Sequence, residues 1–297
     1  MSKVFYDKPL FYTILEIYDK YADNYADNVS EEYILGLIKK LADDTDIRAK
    51  YNEKDIIDYI TFHNHTNVLR EVLKKFDTIK NDQEKINEHI ICIIMFGNNV
   101  DMIDILINYC NNFDINAVDV TNYTLLDYAI LSKNIPTVEL LLDQDGIDIN
   151  TPHGCGLSPL HLAVDCNSAH IVSLLLKKDD IKVNTLSKNR FNGTYGDAPL
   201  HIAVKRKLYD IINILLSHND IDVNNTNYYG NTPLVTAIEN RSVFIIEKLI
   251  NHKNIDINKK SGNPPKSPFI VANEQNTRYR TEKTQQIVNI LFEHNKN

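Results

Sequence analysis

Ten histidines and four cysteines are the side chains of this chain best suited to chemistry at neutral pH. His63 and His65, one residue apart, offer two imidazoles to a metal ion. No cysteine or carboxylate stands at a matching spacing, and a loop position between helices favours solvation over ligation. His153 and Cys155, with Cys166 further on, would have to pair an imidazole with a thiolate to act as a nucleophile, and they read more simply as loop residues. The paired carboxylates Asp43-Asp44 and Asp179-Asp180 also sit in loops, where water satisfies them. No phosphate-cradling glycine loop, GxSxG elbow or HExxH helix occurs, and the whole chain holds nine glycines. The expectation is a protein without catalytic residues, metal ligands or cofactor. His161 and His201 remain, each in the same Pro-Leu-His setting, and they belong to something larger.

Composition narrows the partners. A net charge of -8 over 297 residues argues against nucleic acid, whose binding draws on basic surface to displace counterions. The same sign disfavours an anionic membrane surface. The longest apolar run, Ile90 to Phe96, falls well short of the roughly 20 residues that span a bilayer, and Met1 to Lys8 lacks the apolar stretch of a secretory signal. Cys92, Cys110, Cys155 and Cys166 form no CxxC pair and read as reduced thiols. A monomeric cytoplasmic protein with no membrane insertion is expected.

The elements that carry the two histidines repeat. IDIN at 147–150, IKVN at 181–184, IDVN at 221–224 and IDIN at 255–258 follow apolar clusters such as Leu174-Leu175-Leu176. The tracts TLLDYA (124–129), SPLHLA (158–163), APLHIA (198–203) and TPLVTA (232–237) precede those clusters. From Asn150 the intervals to Asn184, Asn224 and Asn258 are 34, 40 and 34 residues, the signature of stacked supersecondary units. Pro159, Pro199 and Pro233 suit the first turn of a helix, where a missing N–H costs nothing, and Ser158 and Thr232 are placed to cap. Val172, Leu175 and Leu176 share one helical face, as do Ile212, Leu215 and Leu216, and such stripes are buried only against neighbouring units. Gly146, Asn219 and Asn254 are expected to end second helices in a left-handed conformation.

SPLHLA and APLHIA resemble the ankyrin TPLHxA signature, and IVSLLL at 171–176 resembles the second ankyrin helix. The resemblance is strong over 117–258. It implies an all-α fold, an ankyrin-repeat solenoid of helix-turn-helix units with short β-turn fingers. It also implies that His161 and His201 hydrogen-bond turn and backbone groups, that no catalysis occurs, and that the partner is a protein or peptide held along a concave groove. Weaker repeats are expected at 50–83 and 84–116, joining those at 117–150, 151–184, 185–224 and 225–258, and a C-terminal capping repeat at 259–297 carries about seven extra residues around Thr277 to Thr284. Residues 1–49 fall outside the period and predict an N-terminal helical cap: Phe11, Leu15 and Tyr18 share one face, and Ser30 caps a helix through Ile34, Ile38 and Leu41. The alternative role for 1–49 is an appended segment that recruits or supplies an activity, in an adaptor or a host-directed effector of the kind that the Ile-, Asn- and Lys-rich style resembles.

Projected on that register, the partner-binding strip runs through Tyr123, Leu131, Leu157, Asp165, Tyr195, Lys205, Arg206, Tyr228, Tyr229 and Glu239. Phe62 and Phe96 would extend its apolar first half, Lys205-Arg206 would set positive charge at its middle, and the tyrosines would act as aromatic anchors. Six extra residues within Ser187 to Thr194 lengthen one finger with Lys188, Arg190 and Phe191. The segments ending at Asn150 and Asn224 also resemble ankyrin stretches that undergo asparagine hydroxylation.

Overall fold

A computed structural model describes residues 14–15, 30–41, 55–76, 82–97, 99–188 and 194–295. The chain divides into two compact units, residues 1–147 and 148–297. Among the described residues all regular structure is helical, apart from two isolated antiparallel bridges, His153 with Leu157 and Ser261 with Lys266. None of these helices is long and apolar enough to cross a membrane.

The first unit opens with α1 (Glu31–Ile38), followed by three helix pairs: α2 (Ile56–Phe62) with α3 (Thr66–Lys75), α4 (Gln83–Cys92) with α5 (Val100–Tyr109), and α6 (Leu125–Leu131) with α7 (Ile135–Leu142). A π-helical turn, Ile93–Gly97, extends α4. The second unit holds four pairs: α8 (Pro159–Asp165) with α9 (Ala169–Leu175), α10 (Pro199–Arg206) with α11 (Tyr209–Leu216), α12 (Pro233–Glu239) with α13 (Val243–Ile250), and α14 (Pro268–Tyr279) with α15 (Glu282–His294). Most of each helical stripe is where periodicity placed it: Val172, Leu175, Ile212 and Leu215 are buried, while Leu176 and Leu216 at the helix ends are half-buried. A pair of seven- or eight-residue helices cannot hide such a stripe alone, so each unit is held together by pair-on-pair packing.

Three sets of hydrogen bonds tie successive pairs. The first runs between fingers: the carbonyls of Gly156, Gly196 and Gly230 accept from the amides of Lys188, Tyr228 and Gly262 at 2.8, 3.0 and 2.8 Å. The second uses the two histidines. Nε2–H of His161 donates to the Asp197 carbonyl at 3.1 Å while Nδ1 accepts from the Ser158 hydroxyl at 2.7 Å. Nε2–H of His201 donates to the Asn231 carbonyl at 2.9 Å while Nδ1 accepts from Ala198 N at 3.3 Å. The third explains the IDxN tracts. The Asp side chain accepts from the amide of the Asn two residues on, 2.8 Å for Asp148 to Asn150 and 2.9 Å for Asp222 to Asn224, which is an Asx-turn. The Asn side chain then reaches forward into the next repeat. Asn150 bonds Asp180 O and Lys182 N, Asn184 bonds Asp220 O and Asp222 N, and Asn224 bonds Asn254 O and Asp256 N, all between 2.7 and 3.0 Å. Asn224→Ala should therefore lower unfolding stability by roughly 2 kcal/mol, about one for each bond, as read from the urea midpoint. A cost no larger than that of Asn219→Ala would show the ladder to be idle.

Several local expectations need correction. Thr232 caps α12 through Val235 N at 3.3 Å, but the Ser158 hydroxyl turns to His161 and leaves the cap unmade. Left-handed residues sit between the two helices of a pair, at Asn64, Lys133, Asn167, Lys207 and Arg241, and not at Asn219 or Asn254. These reversals after first helices take positive φ; exits from second helices vary, with positive φ at Asn112 after α5 and at Gly146 but not at Asn219 or Asn254. The extra residues near Thr277 are absorbed by lengthening α14 and α15 to 12 and 13 residues, not by a loop. Ser30 makes no side-chain cap, and the neighbouring Glu31 instead caps α3, accepting from Asn67 N at 2.7 Å and Val68 N at 3.3 Å. Burial alone would raise the Glu31 carboxyl, but the bonds from Asn67 and Val68 hold it below the usual range. Leu15, Ile34, Ile38 and Leu41 are buried, while Phe11, Tyr18, Asp43, Asp44, Arg190 and Phe191 lie outside the described residues.

Candidate functional site

The residues expected to bind a partner fall into two sets. In the first unit, Phe62, Phe96 and Leu131 end three successive first helices and are exposed, Phe96 at 85%. Phe96 lies within the π-helical turn Ile93–Gly97. Tyr123 is half-buried, with its ring 5.8 Å from that of Tyr128. The Tyr128 hydroxyl donates to Asp119 at 2.7 Å.

In the second unit the structure brings Tyr195, Tyr228 and Tyr229 together. Tyr195 and Tyr228 rings lie 4.9 Å apart, and Tyr228 and Tyr229 meet edge to face at 5.5 Å. Tyr228 and Tyr229 are 65% and 59% exposed. Their backbone is fixed from below: Tyr228 N bonds Gly196 O, and the Asn227 side chain accepts from Tyr229 N and Asn231 N, both at 3.0 Å. Asn227 in turn donates to the fully buried Asp197 at 2.7 Å. The finger before it closes at its base through Ser187 N to Asp197 O and Gly196 N to Ser187 O, both 2.9 Å.

Beyond the tyrosines a cleft of about 580 Å³ opens, with Tyr228, Tyr229 and Glu239 on one side and Asn263, Pro264 and Glu274 among its other walls. Glu239 is exposed at its tip, yet its flank is screened enough that burial pushes the carboxyl up, with Lys205 pulling it down. Glu274 is engaged by Lys266 at 2.7 and 2.8 Å. Glu239, Glu274 and Lys266 together leave the cleft net acidic, with aromatic walls.

Three expected members of the strip are placed otherwise than the register suggested. Leu157 is 2% exposed, because its bridge to His153 turns the side chain inward under the finger. Lys205 and Arg206 do not set free positive charge at the centre. Lys205 pairs with buried Asp197, and Arg206 pairs with the Asp165 carboxylate while also donating to the Asp165 carbonyl at 3.0 Å. A full complement of carboxylates cancels the pair. Glu274 falls on the first-helix strip that the register projects, whereas the Asn263-Pro264 wall was not expected; the turn chemistry of SGNPP at 261–265 is the signal that could have found it.

His161 and His201 are fully buried, and burial pushes the His161 imidazole down to about 4, against the pull of the carbonyls of Asp197 and Thr185. His201 is pushed down for the same reason. Neutral, saturated by two bonds each and shut off from solvent, they are structural. The rings of His63 and His65 lie 5.8 Å apart, and burial pushes the His65 imidazole down while Glu31 pulls it up. Asn150 and Asn224, the hydroxylation candidates, have both ends of their amides occupied by the next repeat.

No curated protein is detectably similar in sequence. Among solved structures, the ankyrin repeat domain of Bcl-3, described as a unique member of the IkappaB protein family, superposes with a TM-score of 0.67 at 18% identity, covering 80% of this chain and 98% of that one. At that identity the likeness speaks to the fold. The model of ankyrin repeats (3 copies) matches residues 47–153, 148–227 and 186–261, most of the chain. With its helix pairs, fingers and inter-repeat histidines in place, this chain belongs to the ankyrin-repeat family.

Proposed function

We propose that the chain is a protein-binding module, not an enzyme, and that its second unit seats a partner on the tyrosine ladder and in the cleft beside it. The carrying observation is the combination of two exposed, backbone-fixed tyrosines with a half-screened carboxylate at one cleft. Exposed aromatic side chains that are already rigid lose little entropy on binding and anchor protein interfaces. Glu239 is disfavoured as a bare carboxylate and gains from a cation delivered to it, and the tyrosine faces attract the same charge. The favoured guest is an arginine or lysine side chain projecting from a peptide or folded partner. Asp165, Lys205 and Arg206 act as supports that hold α8 and α10 in register.

Affinity capture from the source cell tests this with the wild-type chain, Tyr228→Ala, Glu239→Gln and Lys205→Ala as baits. Recovery of the partner should drop at least tenfold for the first two variants, about the 1.4 kcal/mol or more expected of an interface anchor. Equal recovery by wild type and Tyr228→Ala would rule the site out.

A further inference from the structure

The first unit contains a cluster unrelated to the partner face. Asp55 caps α2, and the cap consumes one oxygen from each of two carboxylates: Asp55 Oδ1 accepts from Ile57 N and Asp58 N at 2.9 and 3.0 Å, and Asp58 Oδ2 accepts from Asp55 N at 2.9 Å. The remaining oxygens face His89 on α4. Asp58 Oδ1 lies 3.0 Å from Nδ1 and Asp55 Oδ2 lies 3.6 Å from Nε2. His89 is 1% exposed, and neither ring nitrogen makes a hydrogen bond. A neutral imidazole has a single N–H, so with carboxylates at both edges one lone pair must confront another. Something cationic is called for.

The ammonium of Lys85 supplies part of that charge, 3.5 Å from Asp55 and 3.9 Å from Asp58, but it also sits 3.1 Å from Glu88. Three carboxylates around one ammonium, with the His89 ring between two of them, leave the cluster short of positive charge. One ligand atom from each of Asp55, Asp58 and His89 falls within 4.8 Å of the others. Ligands bonded to one zinc ion at about 2.0–2.2 Å are neighbours at about 3.0–3.5 Å and point at the metal, not at each other. A close Nδ1 to Oδ1 approach without hydrogen-bond alignment has that character. Asp-x-x-Asp at the start of one first helix thus meets a buried histidine on the next.

We propose that Asp55, Asp58 and His89 hold a zinc ion that clamps α2 to α4, with water at the fourth position. An imidazole nitrogen beside two carboxylate oxygens suits zinc better than magnesium or calcium. The clamp occupies the place where the second unit uses histidine-to-carbonyl bonds, in repeats that lack the first-turn proline.

Cobalt(II) titration of the untagged full chain tests the site, with circular dichroism confirming that each variant is folded. One equivalent of cobalt should give the intense visible bands of tetrahedral coordination, abolished by one equivalent of zinc. Cys92→Ser, whose thiol is not among the ligands, should fold and bind cobalt as wild type does. His89→Gln and Asp58→Asn should bind no cobalt, while His63→Ala should match wild type. Absence of tetrahedral cobalt bands in the folded wild-type chain overturns the site. So does binding that survives both His89→Gln and Asp58→Asn, follows His63, or is lost in Cys92→Ser.

Discussion

Acidification from pH 7.5 to pH 5 is expected to weaken the second unit by several kcal/mol, well before its carboxylates titrate. His161 is pushed down to about 4 by burial, from an ordinary value of 6.5. Between those values the unfolded chain binds a proton that the folded chain refuses, so stability is fully present above pH 6.5 and drains as pH falls towards 4. The full interval is worth about 3 kcal/mol for His161, of which about 2 kcal/mol is gone by pH 5. His201 is shifted in the same direction by the same cause and adds to the loss. Below about pH 4.5 a further loss sets in from Asp148, whose carboxyl stays below the usual range because bonds from Thr151 and Asn150 outweigh the upward push of burial. Glu239, raised by burial, runs the opposite way but is exposed and contributes little. Urea midpoints measured at half-unit pH steps read the effect. His161→Gln should lower stability at pH 7.5 by roughly 2–4 kcal/mol, since the Asp197 carbonyl and Ser158 hydroxyl lose a buried partner, and should flatten the slope between pH 6.5 and 4. A slope identical to wild type would show that His161 is not the proton-linked group.

How much of this could be read from the sequence depended on whether a feature was local or relational. The TPLH-like tracts and IDxN endings were legible because their physics is local: a first-turn proline, an Asx-turn and an apolar stripe each declare themselves within a few residues. FDIN at 113–116 belongs to the same series and was not singled out, although Asn116 reaches Gly146 O at 2.8 Å as its later counterparts do. Repeat boundaries in the first unit were blurred because no first-turn proline marks α2, α4 or α6, and α4 runs from an Asp82 cap into a π-helical turn.

The proposed partner site was half legible. Tyr195, Tyr228 and Tyr229 were identified by register, which fixes what a position faces. Charge was misread because it is a pairwise property. Lys205 and Arg206 look like a cationic pair in the chain, but Asp197 and Asp165, 8 and 41 residues away, neutralise them in space. The Asp55–Asp58–His89 cluster was hidden for the same reason: two carboxylates of a helix cap and a histidine 31 residues beyond Asp58 have no shared motif until α2 and α4 pack. Register predicts faces; it does not predict which ions meet.

Gly196→Ala is expected to cost more than any other single methyl added to the second unit, and to take partner binding with it. Gly196 adopts φ +69°, a conformation that costs an L-residue about 1–2 kcal/mol. An added Cβ would stand 2.2 Å from Tyr228 Cβ and 3.0 Å from Tyr228 N. Neither neighbour is the end of a flexible side chain, so no rotamer change relieves the clash and the two fingers must separate. Separation breaks the bond from Tyr228 N to Gly196 O and unstacks Tyr195 from Tyr228. The strain, the overlap and the lost bond together predict roughly 3–5 kcal/mol of destabilisation. Gly146 supplies the matched control: its φ is +77°, but an added Cβ meets nothing within 4 Å, so Gly146→Ala should cost only the backbone strain. The difference between the two variants isolates the close approach of the fingers from the left-handed backbone they share. If both alanines cost the same, the fingers are not in contact at Gly196. If Gly196→Ala destabilises the chain yet leaves partner recovery intact in the folded fraction, Tyr228 does not need its backbone anchor to bind.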